Sequence, residues 1–234
     1  MKRKALLLVC ALLSSLTLAS PVFANDPDVL LIGFTGFDYE DPDTNPGTYL
    51  DIGEGYKVVG MVTSAGPIIA PWIDFGSFEY TFHVFNASVQ SRFFSSPFLT
   101  VQFANNARGR YYADDYSGSG YTAATYGVNP PNATSPSTFI DGSMRLGGDL
   151  DNFVLVFDFG SGTGNFSGDM TLDEGPDLIY VPVGQRAGWI LGGIAGPNPS
   201  IPAGYDHQVE GECRIPGKTP TTHKTWGAVK ALYR

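Results

Sequence analysis

Glycine at 29 positions and proline at 17 interrupt this 234-residue chain so often that few windows of helix length survive. Between the breaks, apolar residues alternate with polar ones. Tyr80-Thr81-Phe82-His83-Val84 sets Tyr, Phe and Val on one face and Thr and His on the other. Leu99–Phe103 and Phe166–Leu172 repeat the pattern, the second with Ser167, Asp169 and Thr171 on its polar face. A period of two is what a half-buried antiparallel strand requires, because successive side chains point to opposite faces of the sheet. Phe153–Phe157 is apolar throughout and predicts a central strand covered on both sides. Further strands are predicted at Val29–Phe34, Tyr56–Thr63, Arg110–Ala113, Phe139–Leu146 and Leu178–Pro182. About ten strands at such spacing predict an all-β fold, an antiparallel β-sandwich or alternatively an irregular β-barrel.

Long loops are expected at Glu40–Gly47 and Asp114–Ser137, and an irregular strap at Ala195–Thr222, where Pro, Gly, Ser and Asn crowd together. The last nine residues differ from the rest. Trp226, Val229, Leu232 and Tyr233 fall at helical spacing, which predicts a short C-terminal helix over 226–234, packed on the domain or read by a partner. With no repeat and no linker, residues 25–225 read as a single domain.

Residues 1–24 have the three-part layout of a secretory signal peptide. Lys2-Arg3-Lys4 precedes an apolar run from Ala5 to Leu18, and Val22-Phe23-Ala24 offers a small-x-small cleavage site. The expected destination is the periplasm or the extracellular space, and no later segment is long and apolar enough to span a membrane. Removal of this leader takes three basic residues with it and leaves 11 Lys and Arg against 23 Asp and Glu. So acidic a surface repels nucleic acid and anionic lipid, and is compatible with divalent cations, glycans or an extracellular protein. Cys10 lies in the leader, so Cys213 is left alone and no intramolecular disulfide staples the fold.

Few residues carry chemistry. Gly160–Gly164 follows an apolar strand but leads into another strand, so it serves a turn and cannot place a helix N-terminus against phosphate. No Ser stands in a Gly-x-Ser-x-Gly elbow. His207, Glu210, Cys213 and His223 do not have the spacing of a structural zinc site, and His83 reads as a solvated strand residue. Asp41, Asp43 and Asn45 place oxygen ligands at alternate positions, with Asp38, Glu40, Asp51 and Glu54 nearby, a pattern suited to calcium. Pro46 and Ile52 fall where an EF-hand needs Gly and Glu, so the competing reading is an acidic turn bonded to its own backbone. A second acidic group, Asp169, Asp173, Glu174 and Asp177, is partly explained by strand alternation. Tyr116, Tyr121 and Tyr126 mark the loop after Arg110–Ala113. Exposed rings there would make a ligand platform, and rings turned inward would clamp the loop.

The stretches Arg110–Asp115, Tyr126–Thr134, Thr138–Gly142 and Gly164–Leu172 resemble secreted β-rich proteins of Gram-negative-type bacteria that have no assigned activity. The ending Trp226–Arg234 is similar to tails on other exported proteins of such bacteria. The resemblance implies export and brings no catalytic residues. The expectation is therefore an exported, non-catalytic binding or structural module for a glycan or protein, with calcium as the candidate cofactor. The alternative is a glycan hydrolase that uses paired carboxylates.

Overall fold

The computed structural model describes residues 28–45, 47–125 and 135–216. Among the described residues nine strands run in chain order: β1 (Val29–Glu40), β2 (Gly55–Ala65), β3 (Phe78–Ser95), β4 (Phe98–Phe103), β5 (Ala107–Asp115), β6 (Ser143–Asp158), β7 (Thr163–Glu174), β8 (Trp189–Gly196) and β9 (His207–Ile215). Every pairing is antiparallel. β4 and β5 lie end to end between β3 and β6. β4 covers the halves of those strands near Ser95 and Asp158, and β5 covers the opposite halves. The sheet then returns on itself as β9 pairs β1, from Val29↔Ile215 to Asp38↔His207. The result is an up-and-down barrel of eight antiparallel staves, in which no full strand is left as an edge.

Both a sandwich and a barrel bury one face of each strand, and closure between β1 and β9 makes this a barrel, the alternative expected, and not a sandwich. Further expectations change. The strand predicted at Phe139–Leu146 begins only at Ser143, because Ser135–Phe139 is a 3-10 turn. Phe153–Phe157 is covered on one side only: Phe153, Leu155 and Phe157 point inward, while Val156 is exposed. Leu178–Pro182 is not a strand, because Pro176–Tyr180 winds into a 3-10 turn. The strap expected over Ala195–Thr222 contains β9, the strand that closes the barrel. The expected C-terminal helix and the signal peptide lie outside the described residues.

The barrel interior is packed with side chains. Phe82, Phe103, Phe153, Tyr56 and Trp189 are fully buried, with Tyr56 stacked on Phe103 at 5.2 Å and Phe103 on Phe153 at 4.9 Å. Glycines make room for these rings. A Cβ on Gly193 would stand 2.4 Å from Phe166 Cζ, and one on Gly211 would stand 2.5 Å from Phe34 Cζ. Outside, Tyr39 and Val59 on β1 and β2 are covered by Phe139 and Tyr205 from the long connections.

The two ends of the barrel differ. At the base, Asp177 is buried and receives the Tyr111 hydroxyl at 2.5 Å and the Arg145 guanidinium at 2.6 Å, which seals that end with a paired charge. The other end, the mouth, carries the connections 41–54, 96–97, 159–162 and 197–206. No helix among the described residues is long and apolar enough to cross a membrane.

Candidate functional site

β1 and β9 meet at the mouth with Asp38 opposite His207. Asp38 has the inward parity of Phe34 and is wholly buried, so its carboxylate must find protein donors. Tyr56 donates its hydroxyl to Oδ2 at 2.9 Å, and the His207 backbone N–H donates to Oδ1 at 2.7 Å. His207 Nδ1 lies 3.2 Å from Oδ1 and 3.5 Å from the Tyr49 hydroxyl. Burial opposes protonation of His207, but the hydrogen bond and charge of Asp38 outweigh it and hold the imidazole above its ordinary value. Burial, and then the Asp38 charge, raise the Tyr49 phenol, which stays protonated.

Glu40 lies two residues beyond Asp38 on β1 and faces the same side. Its Oε1 accepts the backbone N–H of Leu50 at 3.0 Å. Burial pushes the Glu40 carboxyl up to about 8, with the charges of Asp206, Glu54 and Asp43 adding to the shift. Partial desolvation pushes the Asp206 carboxyl up to about 6, with the Asp38 charge adding to the shift, although one side of the residue is open to solvent. Glu54 behaves in the opposite way. Burial works against its charge, yet it accepts the N–H groups of Asp51, Thr44 and Asn45 together with the Thr44 hydroxyl, and these hold its carboxyl below the ordinary value. That carboxylate fixes the 41–54 connection in place.

Among the described residues, cavities at this end include two that adjoin. The first, about 550 Å³, is lined by Glu40, Asp43, Tyr49, Tyr205 and Asp206 together with the backbone of Gly47 and Gly204. The second, about 580 Å³, is lined by Phe157, Pro197, Pro199, Ile201, Asp206 and His207. Asp206 belongs to both, and the Tyr49–His207 ring pair, 5.2 Å between centroids, stands where they meet.

The residues singled out in the sequence are distributed differently. Asp43 does join an oxygen cluster, but with Glu40 and Glu54, whose carboxylate oxygens come within 4.8 Å of one another, a candidate set for a hard cation among the described residues. Asp41 is ion-paired with Lys57, and the Asn45 side-chain amide donates to Asp51 at 2.5 Å, so these two are engaged elsewhere. Tyr116 and Tyr121 come together edge to face at 5.3 Å, but beside the base of the barrel. There the Tyr121 hydroxyl lies 3.4 Å from Glu79, which also receives the Ala124 N–H at 2.8 Å, so Tyr121 holds its loop to the barrel wall. Tyr126 lies outside the described residues. His83 is half-buried against Phe85, not freely solvated, and burial lowers its imidazole to about 4, with Lys57 and Arg110 adding to the effect. Cys213 is buried in the core with its thiol 3.7 Å from the Met170 sulfur, and burial raises it far above a reactive thiol.

Sequence reasoning passed over Tyr49, and it weighed Asp38 only as a neighbour of the acidic loop and His207 only as a zinc ligand. One signal was present: parity along Phe34-Thr35-Gly36-Phe37-Asp38 puts an acid on the core face, where it demands partners. No protein family, curated protein or solved structure matches the chain.

Proposed function

We propose that this chain is an exported binding module that takes a glycan in the polar cavity at the barrel mouth. One observation carries the reading: Glu40, Asp43 and Asp206 face a single open cavity walled by Tyr49 and Tyr205. Sugar hydroxyls both donate and accept hydrogen bonds. A wall that mixes protonated Glu40 with ionised Asp206 at neutral pH offers both roles, and the tyrosines add apolar faces with polar tips.

The same titration pattern favours a second reading, glycan hydrolysis. A carboxyl that keeps its proton at neutral pH beside one that is ionised is the pairing an acid and a base or nucleophile require. A thermal-shift screen of the mature protein against a glycan panel, run beside a reducing-end assay on the same glycans, tests both. A raised melting temperature without product supports the module, because a ligand of the folded state stabilises it. Product release that Glu40→Gln abolishes supports the hydrolase. No shift with any glycan refutes the binding reading.

A further inference from the structure

The mouth has two chambers of different character, and the second is the more apolar. Phe157, Pro197, Pro199 and Ile201 line most of it, and its polar side chains are Asn198 together with Asp206 and His207 at the border with the first chamber. From Phe157 a row of rings leads outward: Phe157 to Phe159 at 5.1 Å, then Phe159 to Phe94 at 5.9 Å. Phe159 is 48% exposed and Phe94 56%, and side chains this apolar standing open beside a cavity mark a binding surface. The rings meet at 70° and 64°, edges against faces, so the row is a ridged apolar track and not a flat platform on which a sugar ring would stack. A ridged track fits a flexible methylene chain.

We infer that the ligand is an alkyl or acyl glycoside, with its sugar in the Glu40–Asp43–Asp206 chamber and its hydrocarbon chain in the Phe157–Ile201 chamber, leaving along Phe159 and Phe94. This rests on the glycan reading above and adds the second half of the ligand. Continuity selects the occupant: the chambers share Asp206 and meet at the Tyr49–His207 pair, so one molecule with a polar head and an apolar tail fills both. The acids at the polar end disfavour an anionic head, and hydroxyls suit them.

The test measures binding of methyl, hexyl and octyl β-glucosides and β-galactosides by calorimetry, below their micellar concentrations, with octanol as a chain lacking a sugar. The expected affinity rises roughly ten- to a hundred-fold from methyl to octyl, from partial burial of the added methylenes. Phe159→Ser with Phe94→Ser removes the gain from methyl to octyl, with the melting temperature of the variant read alongside as the check on folding, because both rings are only about half exposed. Glu40→Gln with Asp43→Asn weakens every glycoside. Equal affinity for methyl and octyl glycosides overturns the two-chamber ligand and leaves glycan binding standing. Octanol binding as tightly as the octyl glycosides also overturns it. No binding by any of these glycosides, with octanol inert as well, overturns it together with the head-group reading, whereas a hit elsewhere in the glycan panel would preserve that reading alone.

Discussion

Replacing Asp38 with alanine attacks the buried hub of the mouth, and the structure sets the size of the effect. The side chain is wholly buried and serves Tyr56, itself wholly buried, and the His207 backbone N–H. Truncation orphans both donors, at about 1–3 kcal/mol each. Relief from a desolvated carboxylate returns part of that cost. The His207 ring sits at the mouth beside an open cavity, where solvent can replace its partner. A net loss of about 2–4 kcal/mol follows, roughly 5–15 °C in melting temperature for a domain of this size. Tyr56→Phe alone should cost about 1–3 kcal/mol, since it takes one donor from the buried Asp38 carboxylate. On that background Asp38→Ala should cost about 1–2 kcal/mol less than in the wild type, because one orphan no longer exists. Urea unfolding of the four proteins, analysed as a cycle, reads these numbers. A cost for Asp38→Ala below 1 kcal/mol, or additivity with Tyr56→Phe, would refute the argument that this carboxylate is held by donors water cannot reach.

Other outcomes follow from the same geometry. Glu40 is raised from 4.5 to about 8, so its contribution to stability is fully present below pH 4.5 and is lost as pH rises to 8. Glu40→Gln should therefore match the wild type in acid and gain on it steadily between those values; parallel stability–pH curves would contradict the assignment. Glu54→Ala strips four donors of their acceptor in the 41–54 connection and should cost about 1–3 kcal/mol while weakening glycan binding, with unchanged binding as the result against it. The Cys213 thiol should resist a disulfide reagent until the barrel unfolds, and reductant should leave the melting curve in place, because the sulfur is buried and high in pKa. Chelator should lower the melting temperature only if a cation sits among Glu40, Asp43 and Glu54, and Asp43→Asn should then remove that response while Asp41→Asn does not.

Much of the strand inventory was legible because alternation is a local property. Tyr80–Val84, Leu99–Phe103 and Phe166–Leu172 each carry their own evidence of an inward and an outward face. Closure is different. It depends on β1 meeting β9 across most of the sequence, and no residue near Val29 announces a partner near Ile215. β8 and β9 were hidden because Gly193 and Gly211 interrupt their alternation where the Phe166 and Phe34 rings cross the barrel. Val154 and Val156 misled for a related reason, as apolar residues on an outer flank look in sequence like those of a covered strand. The acidic loop was legible as composition. Its pairing with His207 was not, because that contact is a register position between distant strands.

Because Val29 and Ile215 pair across the seam, the first and last residues of the barrel stand side by side at its base. The order in which the staves occur along the chain is then a convention of where the polypeptide was cut. A short linker joining these ends, with new termini opened between β5 and β6, would give a circular permutant with the same ring of neighbours. In it the seam between β1 and β9 becomes an ordinary hairpin, and the late, long-range step of folding moves to β5 and β6. The mouth, with Asp38 and His207 on what are now consecutive strands, would be inherited intact.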